Sequence, residues 1–286
     1  MKPLIKKIYH LFTYWIVPRN RFGDNFIAFI TFLRAHRRLP SSNLLFNDVL
    51  YKIKTSDEII DPLRVFVSDK EFVKIFVKAV AGEQYNVPSI KVLHSIEEAK
   101  NYQYSSDCCI KPTHLSGTVI LRRQNGPINF EEIDSWFKSS HYLVNRETNY
   151  KTLKPKVIVE PLIFGSDNLS DYKFFCYQGK PKLIQMDVDR YNNHSRKFFD
   201  LNWNELPFSL LYPHSNRTLD RPKNLDKMLE VASLLSSYFN FVRIDLYSNG
   251  DECLVGEITN CHGNAWESFI PLSAEKTASE LIFGSV

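Results

Sequence analysis

The stretch "RIDLYSNGDECLVGEITNCHGN", residues 243–264, sets an arginine, an aspartate and a glutamate inside two strand-like runs that flank an Asn249-Gly250 turn signal. Strand side chains alternate between two faces, so parity decides where those charges go. Val242, Ile244 and Leu246 alternate with Arg243, Asp245 and Tyr247; on the return, Leu254, Gly256 and Ile258 alternate with Val255, Glu257 and Thr259. A tight Asn249-Gly250 turn places Asp245 and Glu257 on opposite faces. A longer loop, Ser248 to Glu252, pairs Arg243 with Glu257 and Asp245 with Val255, and it gathers Arg243, Asp245 and Glu257 on one face. The longer loop is the expectation, because it leaves no carboxylate facing the core. Two carboxylates one diagonal apart, roughly 7 Å between Cα atoms, can converge on a cation. A few oxygen ligands with room left for phosphate and water suit Mg²⁺ carried by a nucleotide, and the adjacent arginine then neutralises phosphate charge. On this stretch alone, a buried Arg243–Glu257 ion pair is the plain structural alternative.

The 286-residue chain is long enough for one large domain or two modest ones. With 44% hydrophobic and 24% charged residues and only 10 glycines, disordered, collagen-like and membrane-spanning classes drop out. An aromatic content of 14% fits a β-rich core and a stacking site equally. Cys108, Cys109, Cys176, Cys253 and Cys261 show no CxxC spacing, so a reduced, cytoplasmic protein without a structural metal is expected. Charge is uneven along the chain. Residues 1–40 hold Lys2, Lys6, Lys7, Arg19, Arg21, Arg34, Arg37 and Arg38 against Asp24 alone, a local +7; with +4 overall, the remainder is −3. Two apolar runs in this arm, Ile8 to Val17 and Phe26 to Leu33, are too short to span a bilayer, and no cleavage-site pattern follows the first. The arm therefore reads either as amphipathic segments resting on the inner membrane face, or as helices packed on the protein's own body.

Downstream, the pattern is βαβ-like without repeats. Residues 39–54, "LPSSNLLFNDVLYKIK", offer a Ser-Ser-Asn cap before a short helix. The next helix is predicted to begin at a Ser68 cap, to carry Phe72, Ile75, Phe76, Ala79 and Val80 on one face, and to stop at Gly82. "DCCIKPTHLSGTVILRR" reads as strand, loop, strand, and Lys111 among its apolar neighbours needs an anion. "KVIVEPLI" is a buried strand ending at Glu160, and "DYKFFCYQGKPKLIQMDVDRY" is a hairpin turning at Gln178 to Pro181. Residues 225–239 form the clearest amphipathic helix, immediately ahead of the opening hairpin.

The order of "SDK" with Lys70, "CIKPTHLSG" with Lys111, "VEPLI" with Glu160, "RIDLY" with Asp245 and "GEITN" with Glu257 resembles the ATP-grasp fold. The block 171–208 is similar to its TupA-like branch, associated with teichuronopeptide and other surface polysaccharides, and "FNDVLYKIK" resembles a segment of the same branch. The resemblance runs from about residue 40 to the C-terminus. It implies an α+β (α/β) fold with two α+β lobes sandwiching ATP: a smaller lobe over 67–160, a larger lobe over 161–286, and residues 1–66 as a helical arm and lead-in.

Carried over by position, the resemblance gives Lys70 and Lys111 to the ATP phosphates, with His114, Ser116 and Gly117 in the loop closing over them. Glu160 and the residues after it, Leu162 among them, become the interlobe hinge that holds adenine and ribose. Lys173 faces the γ-phosphate or the carboxylate substrate, Arg243 stabilises the moving phosphoryl, and Asp245 and Glu257 hold Mg²⁺. The family pattern has Asn two residues after this Glu; here that place is Thr259 and Asn260 comes one later, so the third ligand is Thr259, Asn260 or water. Arg190, His194 and Arg196 form a basic cluster suited to an acidic sugar or a diphosphate carrier, while Glu267 reads as structural. The implied activity is an ATP-dependent carboxylate–amine ligase working through an acyl phosphate, on a uronic acid of a surface glycan and an amino acid or other amine, without a nucleic-acid partner. Two alternatives remain: a glycosyltransferase using "DVD" at Asp187 to Asp189, and a nucleotide-binding scaffold without catalysis.

Overall fold

The computed structural model describes residues 16–165, 169–190 and 192–284. Its chain opens with α1 (Arg21–His36), α2 (Phe46–Thr55), α3 (Pro62–Ser68) and α4 (Phe72–Val80). A small four-stranded sheet follows from β1 (Lys91–Leu93), β2 (Cys108–Pro112), β3 (Ile120–Arg122) and β4 (Val157–Glu160), interleaved with α5 (Ile96–Asn101), α6 (Phe130–Lys138) and α7 (His141–Asn145). Its order is β1-β4-β2-β3, antiparallel throughout. Ser95 and Asn129 cap α5 and α6 by accepting from Glu98 N and Glu132 N, each at 3.1 Å.

The larger sheet takes β5 (Ser170–Tyr177), β6 (Lys180–Val188), β7 (Ser195–Phe199) and β8 (Glu205–Leu206); after β9 (Ser209–Leu210) and α8 (Leu225–Ser236) it gains β10 (Phe241–Ser248) and β11 (Cys253–Thr259). Its order is β11-β10-β5-β6-β7-β8. The short β12 (Phe269–Ile270) pairs with β9, and α9 (Ala274–Phe283) ends the described chain. One face carries Phe174, Cys176, Ile184, Val242, Ile244 and Leu246 against α4 and α8. The other carries Phe175, Leu183, Phe198 and Phe241 against α2 and α9. Helices cover only part of this second face. On the rest of it the strands present Asp171, Lys173, Asp187, Arg243 and Asp245 by the same alternation.

The hairpin of β10 and β11 departs from the expected loop. The turn spans four residues, Asn249 to Glu252, because Asn249 Oδ1 accepts from the N–H groups of Asp251 and Glu252 at 3.0 and 2.8 Å, and Gly250 takes a φ of +96°. Near the turn Leu246 pairs with Val255; beyond it Asp245 pairs with Glu257, leaving Gly256 as an extra residue in β11. Without that bulge, Glu257 would share its face with Ile244. The bulge reverses the parity, so Asp245 and Glu257 stand directly opposite each other rather than on a diagonal, and Arg243 pairs with Thr259 rather than with Glu257.

Other expectations shift for local reasons. Ser68 ends α3, its hydroxyl donating to Arg64 O at 2.7 Å, so it does not cap the next helix. In α4 the inward face is Val73, Phe76 and Val77, and Ile75 is exposed. Helix α2 starts at Leu45 without a side-chain cap from Ser41, Ser42 or Asn43. The β5–β6 turn is Gln178-Gly179, both with positive φ, which is tighter than the Gln178–Pro181 span. Val67, Val73, Phe76 and Val77 join the core of the larger sheet, so the boundary at 67 falls inside that core, and α2 packs there too. In the N-terminal arm, α1 packs on the body through Ile27, Ala28 and Phe32, and Asp24 is held by Tyr142 and Arg146. Most of the run Ile8 to Val17 lies outside the described residues. No helix of the described residues is long and apolar enough to cross a membrane.

Candidate active site

The charged part of the sheet face is built in rows. β10 places Arg243 and Asp245 beside Phe175 and Lys173 of β5, and Lys173 in turn lies beside Gln185 of β6. Arg243 grips Asp245 with two hydrogen bonds, Nε to Oδ1 at 2.6 Å and Nη2 to Oδ2 at 2.7 Å, and donates a third to Thr259 Oγ1 at 3.0 Å. Lys173 Nζ contacts Asp171 and lies 3.5 Å from Asp187 Oδ2 and 3.6 Å from Asp245 Oδ2. Burial pushes both cations toward their neutral forms, but the summed attraction of the surrounding carboxylates, Asp245 first for Arg243 and Asp171 first for Lys173, holds both pKa values above normal. Burial outweighs attraction at Asp171, which is raised.

A second layer holds this row in place. His262 Nδ1 meets the Arg243 guanidinium, and its Nε2 lies 3.0 Å from Glu267 Oε2. Arg196 donates to the same Oε2 at 2.6 Å, to Asp187 Oδ1 at 2.7 Å and to Leu210 O at 2.9 Å. Arginine can only donate, so His262 Nδ1 must accept, and the proton sits on Nε2 facing Glu267. Burial keeps His262 below its usual value, consistent with a neutral ring. For Glu267, burial opposes ionisation, but His262 and Arg196 outweigh it and pull the carboxyl down to about 2.

Across β11 lies a narrow cavity whose walls include Lys70, Lys74, Lys111, Glu160, Val255 and Gly256. Glu160 is the anion that Lys111 demanded. Its oxygens lie 2.6 Å from Lys111 Nζ and 2.6 Å from Lys74 Nζ. Lys70 Nζ donates to Leu115 O. Burial depresses Lys70 and Lys74; at Lys111 the carboxylate of Glu160 and lesser attractions overcome burial and the shift is upward. Glu257 stands between the two clusters, half-buried, with neither hydrogen bond nor ion pair among the described residues, in the field of Lys70 and Arg243.

The expected residues are therefore only partly assembled as foreseen. Lys70 and Lys111 meet, and so do Lys173, Arg243, Asp245, Thr259 and Glu257. Asn260 turns away: its amide donates to Arg64 O and Ser68 Oγ and accepts from Arg64 Nη1, because alternation sends it to the side opposite Thr259. His114 is buried in the small lobe, with Nε2 3.0 Å from Trp136 O and Nδ1 accepting from Lys156 N, so Ser116 and Gly117, with φ +79°, are the exposed members of that loop. The Glu160 side chain faces the lysines rather than the linker, where the half-buried Leu162 follows. The basic cluster is split. Arg196 is buried among its own acceptors, His194 stacks on Tyr212 at 3.7 Å with Nε2 3.2 Å from Asp187 Oδ1, and Arg190 remains half-exposed, 3.6 Å from Asp171.

Sequence reasoning did not find Lys74, Asp171 or His262 and took Glu267 as structural only. Lys74 lies four residues after Lys70, a spacing that could have flagged it; Glu267 is five residues from His262, but Arg243, its other partner, is nineteen residues away on another element. Among the described residues no three His, Cys, Asp or Glu side chains cluster closely enough to cage a metal. A Mg²⁺ that arrives with nucleotide draws most of its shell from phosphate and water. The unpaired Glu257 opposite Asp245, whose carboxylate keeps lone pairs free beyond its two bonds to Arg243, fits that modest demand.

The family model described as TupA-like ATPgrasp matches residues 50–283, most of the chain. The chain belongs to the TupA-like ATP-grasp family. Among solved structures, it is similar to D-alanine–D-alanine ligase from Bacillus anthracis at 17% identity, covering 77% of this chain and 64% of that one, with a TM-score of 0.43. The Helicobacter pylori enzyme of the same name is 15% identical over 71% of this chain and 56% of its own, with a TM-score of 0.38. A D-cycloserine synthetase is 14% identical over 72% and 67%, with a TM-score of 0.41. This chain thus spans less than two thirds of the length of either D-alanine–D-alanine ligase. No curated protein matches it.

Proposed function

We propose that this TupA-like ATP-grasp protein is an ATP-dependent carboxylate–amine ligase acting through an acyl phosphate. The observation that carries the reading is Glu257: a half-buried carboxylate without a partner among the described residues, set opposite Asp245 and between two cationic clusters. A structural ion pair would have matched it with a cation at contact distance. Lys70, Lys74 and Lys111 would take the phosphates from one side, with Glu160 holding two of them parallel until the anion arrives. On the other side, Lys173 and Arg243 would meet the transferred phosphoryl and the substrate carboxylate, already oriented by Asp171, Asp245 and His262. Mg²⁺ held by Asp245 and Glu257 would neutralise phosphate charge. The amine then attacks the acyl carbon, phosphate leaves with the bonding pair, and the amine loses a proton.

The substrates we assign by family are a uronic acid of a capsule or other cell-surface polysaccharide and an amino acid or amine, in the cytoplasm, with the basic arm of residues 1–40 touching the inner membrane face. Arg190 lies at the edge of this face, 3.6 Å from Asp171. Of the pair that the glycosyltransferase alternative needs, Asp187 is held by Arg196 and lies 3.5 Å from Lys173, while Asp189, at φ +51°, binds Arg217 at 2.8 Å. The test is ADP release with uronic acids and the twenty amino acids in combination. ADP that requires both partners, and is lost in Glu257→Gln, supports the ligase; turnover untouched by Glu257→Gln removes this site from the reaction.

A further inference from the structure

Beside the catalytic face, the chain leaves an apolar surface uncovered. Trp266, Ile270 and Leu272 are 42%, 42% and 74% exposed, and Leu39, just past α1, is 66% exposed. The segments meet: Ala35 of α1 walls a cavity of about 490 Å³ together with Leu211, Trp266, Phe269, Ile270 and Leu272. The Arg38–Glu275 ion pair, at 3.2 Å, ties the end of α1 to the start of α9, just past Leu272. A cavity of that size is in the range of small-molecule pockets, but its wall is mostly apolar, and Ser268 Oγ already donates to Ala35 O. The Trp266 indole N–H has no partner among the described residues. Exposed apolar side chains that meet around one cavity mark an interaction site more than singly scattered ones do.

Charge selects the partner. Arg34 and Arg37 are exposed at the same end of α1, Arg37 without an ion pair among the described residues, and residues 1–40 carry the chain's whole positive excess. Basic residues bordering tryptophan and leucine suit the region where anionic headgroups meet acyl chains. We propose that this face rests on an anionic phospholipid bilayer, with Trp266 and Leu272 in the interface and an acyl chain entering the cavity. The proposal deepens the membrane contact assigned above to the N-terminal arm, and rests on that reading. Three of its anchors, Trp266, Ile270 and Leu272, lie outside the arm. Glu267 separates Trp266 from Ser268, so the layer that orients Arg243 lies one residue from the bilayer.

The test uses the full chain carrying Leu272→Cys, labelled with an environment-sensitive fluorophore, and vesicles of phosphatidylglycerol with phosphatidylethanolamine. The native cysteines are buried or half-buried, so the label goes to position 272. The expected result is polar emission in buffer, a blue shift on adding these vesicles, and loss of the shift in high salt. Co-sedimentation should fall about tenfold in Leu272→Glu and in Trp266→Ser, both checked for folding by circular dichroism, and hold in Leu234→Ser on the far helix α8. No shift with anionic vesicles overturns the proposal. So does an emission already blue in buffer, which means that the chain itself or, if light scattering shows a dimer, a second copy covers the face. If Leu272→Glu and Trp266→Ser sediment like the parent while charge reversal of Arg19 and Arg21 abolishes sedimentation, the arm alone makes the contact and this face does not.

Discussion

Among single residues, His262 has the most leverage over the candidate chemistry. It accepts from Arg243 and donates to Glu267, so its fixed tautomer sets where the guanidinium points. His262→Ala should therefore lower kcat by about tenfold or more and move KM for ATP less, as steady-state kinetics will show. Glu267 controls the pH response. Its carboxyl is held at about 2 against a usual 4.5, so it stabilises the folded state fully above 4.5 and loses that contribution as pH falls towards 2. The shift corresponds to about 3 kcal/mol. His262, depressed by burial, adds a loss that begins as pH drops below 6.5. Thermal melts from pH 7 to 2 should fall steeply in the parent protein; Glu267→Gln should melt lower at pH 7 and show a flatter decline. Little of this could be read from spacing: His262 and Glu267 are five residues apart, but Arg243 and Arg196 lie far from them in sequence, and only the fold brings the four together.

For the hairpin, the decisive residue is Gly256. As the extra residue of the bulge it turns Glu257 to the face of Asp245, and an added Cβ would come 2.7 Å from the Tyr247 ring. Gly256→Ala should cost about 1–3 kcal/mol in urea unfolding with an unchanged m-value, because the ring must move to admit the methyl group. Parity in the sequence foretold that Arg243, Asp245 and Glu257 share a face, but attributed it to the loop. The structure reaches the same face through a four-residue turn plus a bulge, and a bulge leaves no parity signal of its own, since an isolated glycine in a strand fits several arrangements.

For the molecule as a whole, the nucleotide should link the two sheets, because Lys111 and Glu160 belong to the small sheet while Val255 and Gly256 belong to the large one. ATP with Mg²⁺ at about a hundredfold above Kd should stabilise the chain by about 2.7 kcal/mol, read as a rise in Tm. Lys111→Ala should abolish most of that rise, leaving the Tm without nucleotide less affected because Lys74 still neutralises Glu160. The strand and helix pattern, the amphipathic 225–236 helix and the family-bearing motifs were legible because alternation and 3.6-residue periodicity are local properties of the chain. The sequence by itself also determined that Lys111 required an anion and that the carboxylates of the last hairpin avoided the core. Only the tertiary structure decided which anion it was, that α4 supplies Lys74, that His114 and Asn260 face inward, and that Glu257 is left without a contact partner among the described residues. Burial and ion pairing depend on which distant segments become neighbours, and sequence spacing carries no record of that.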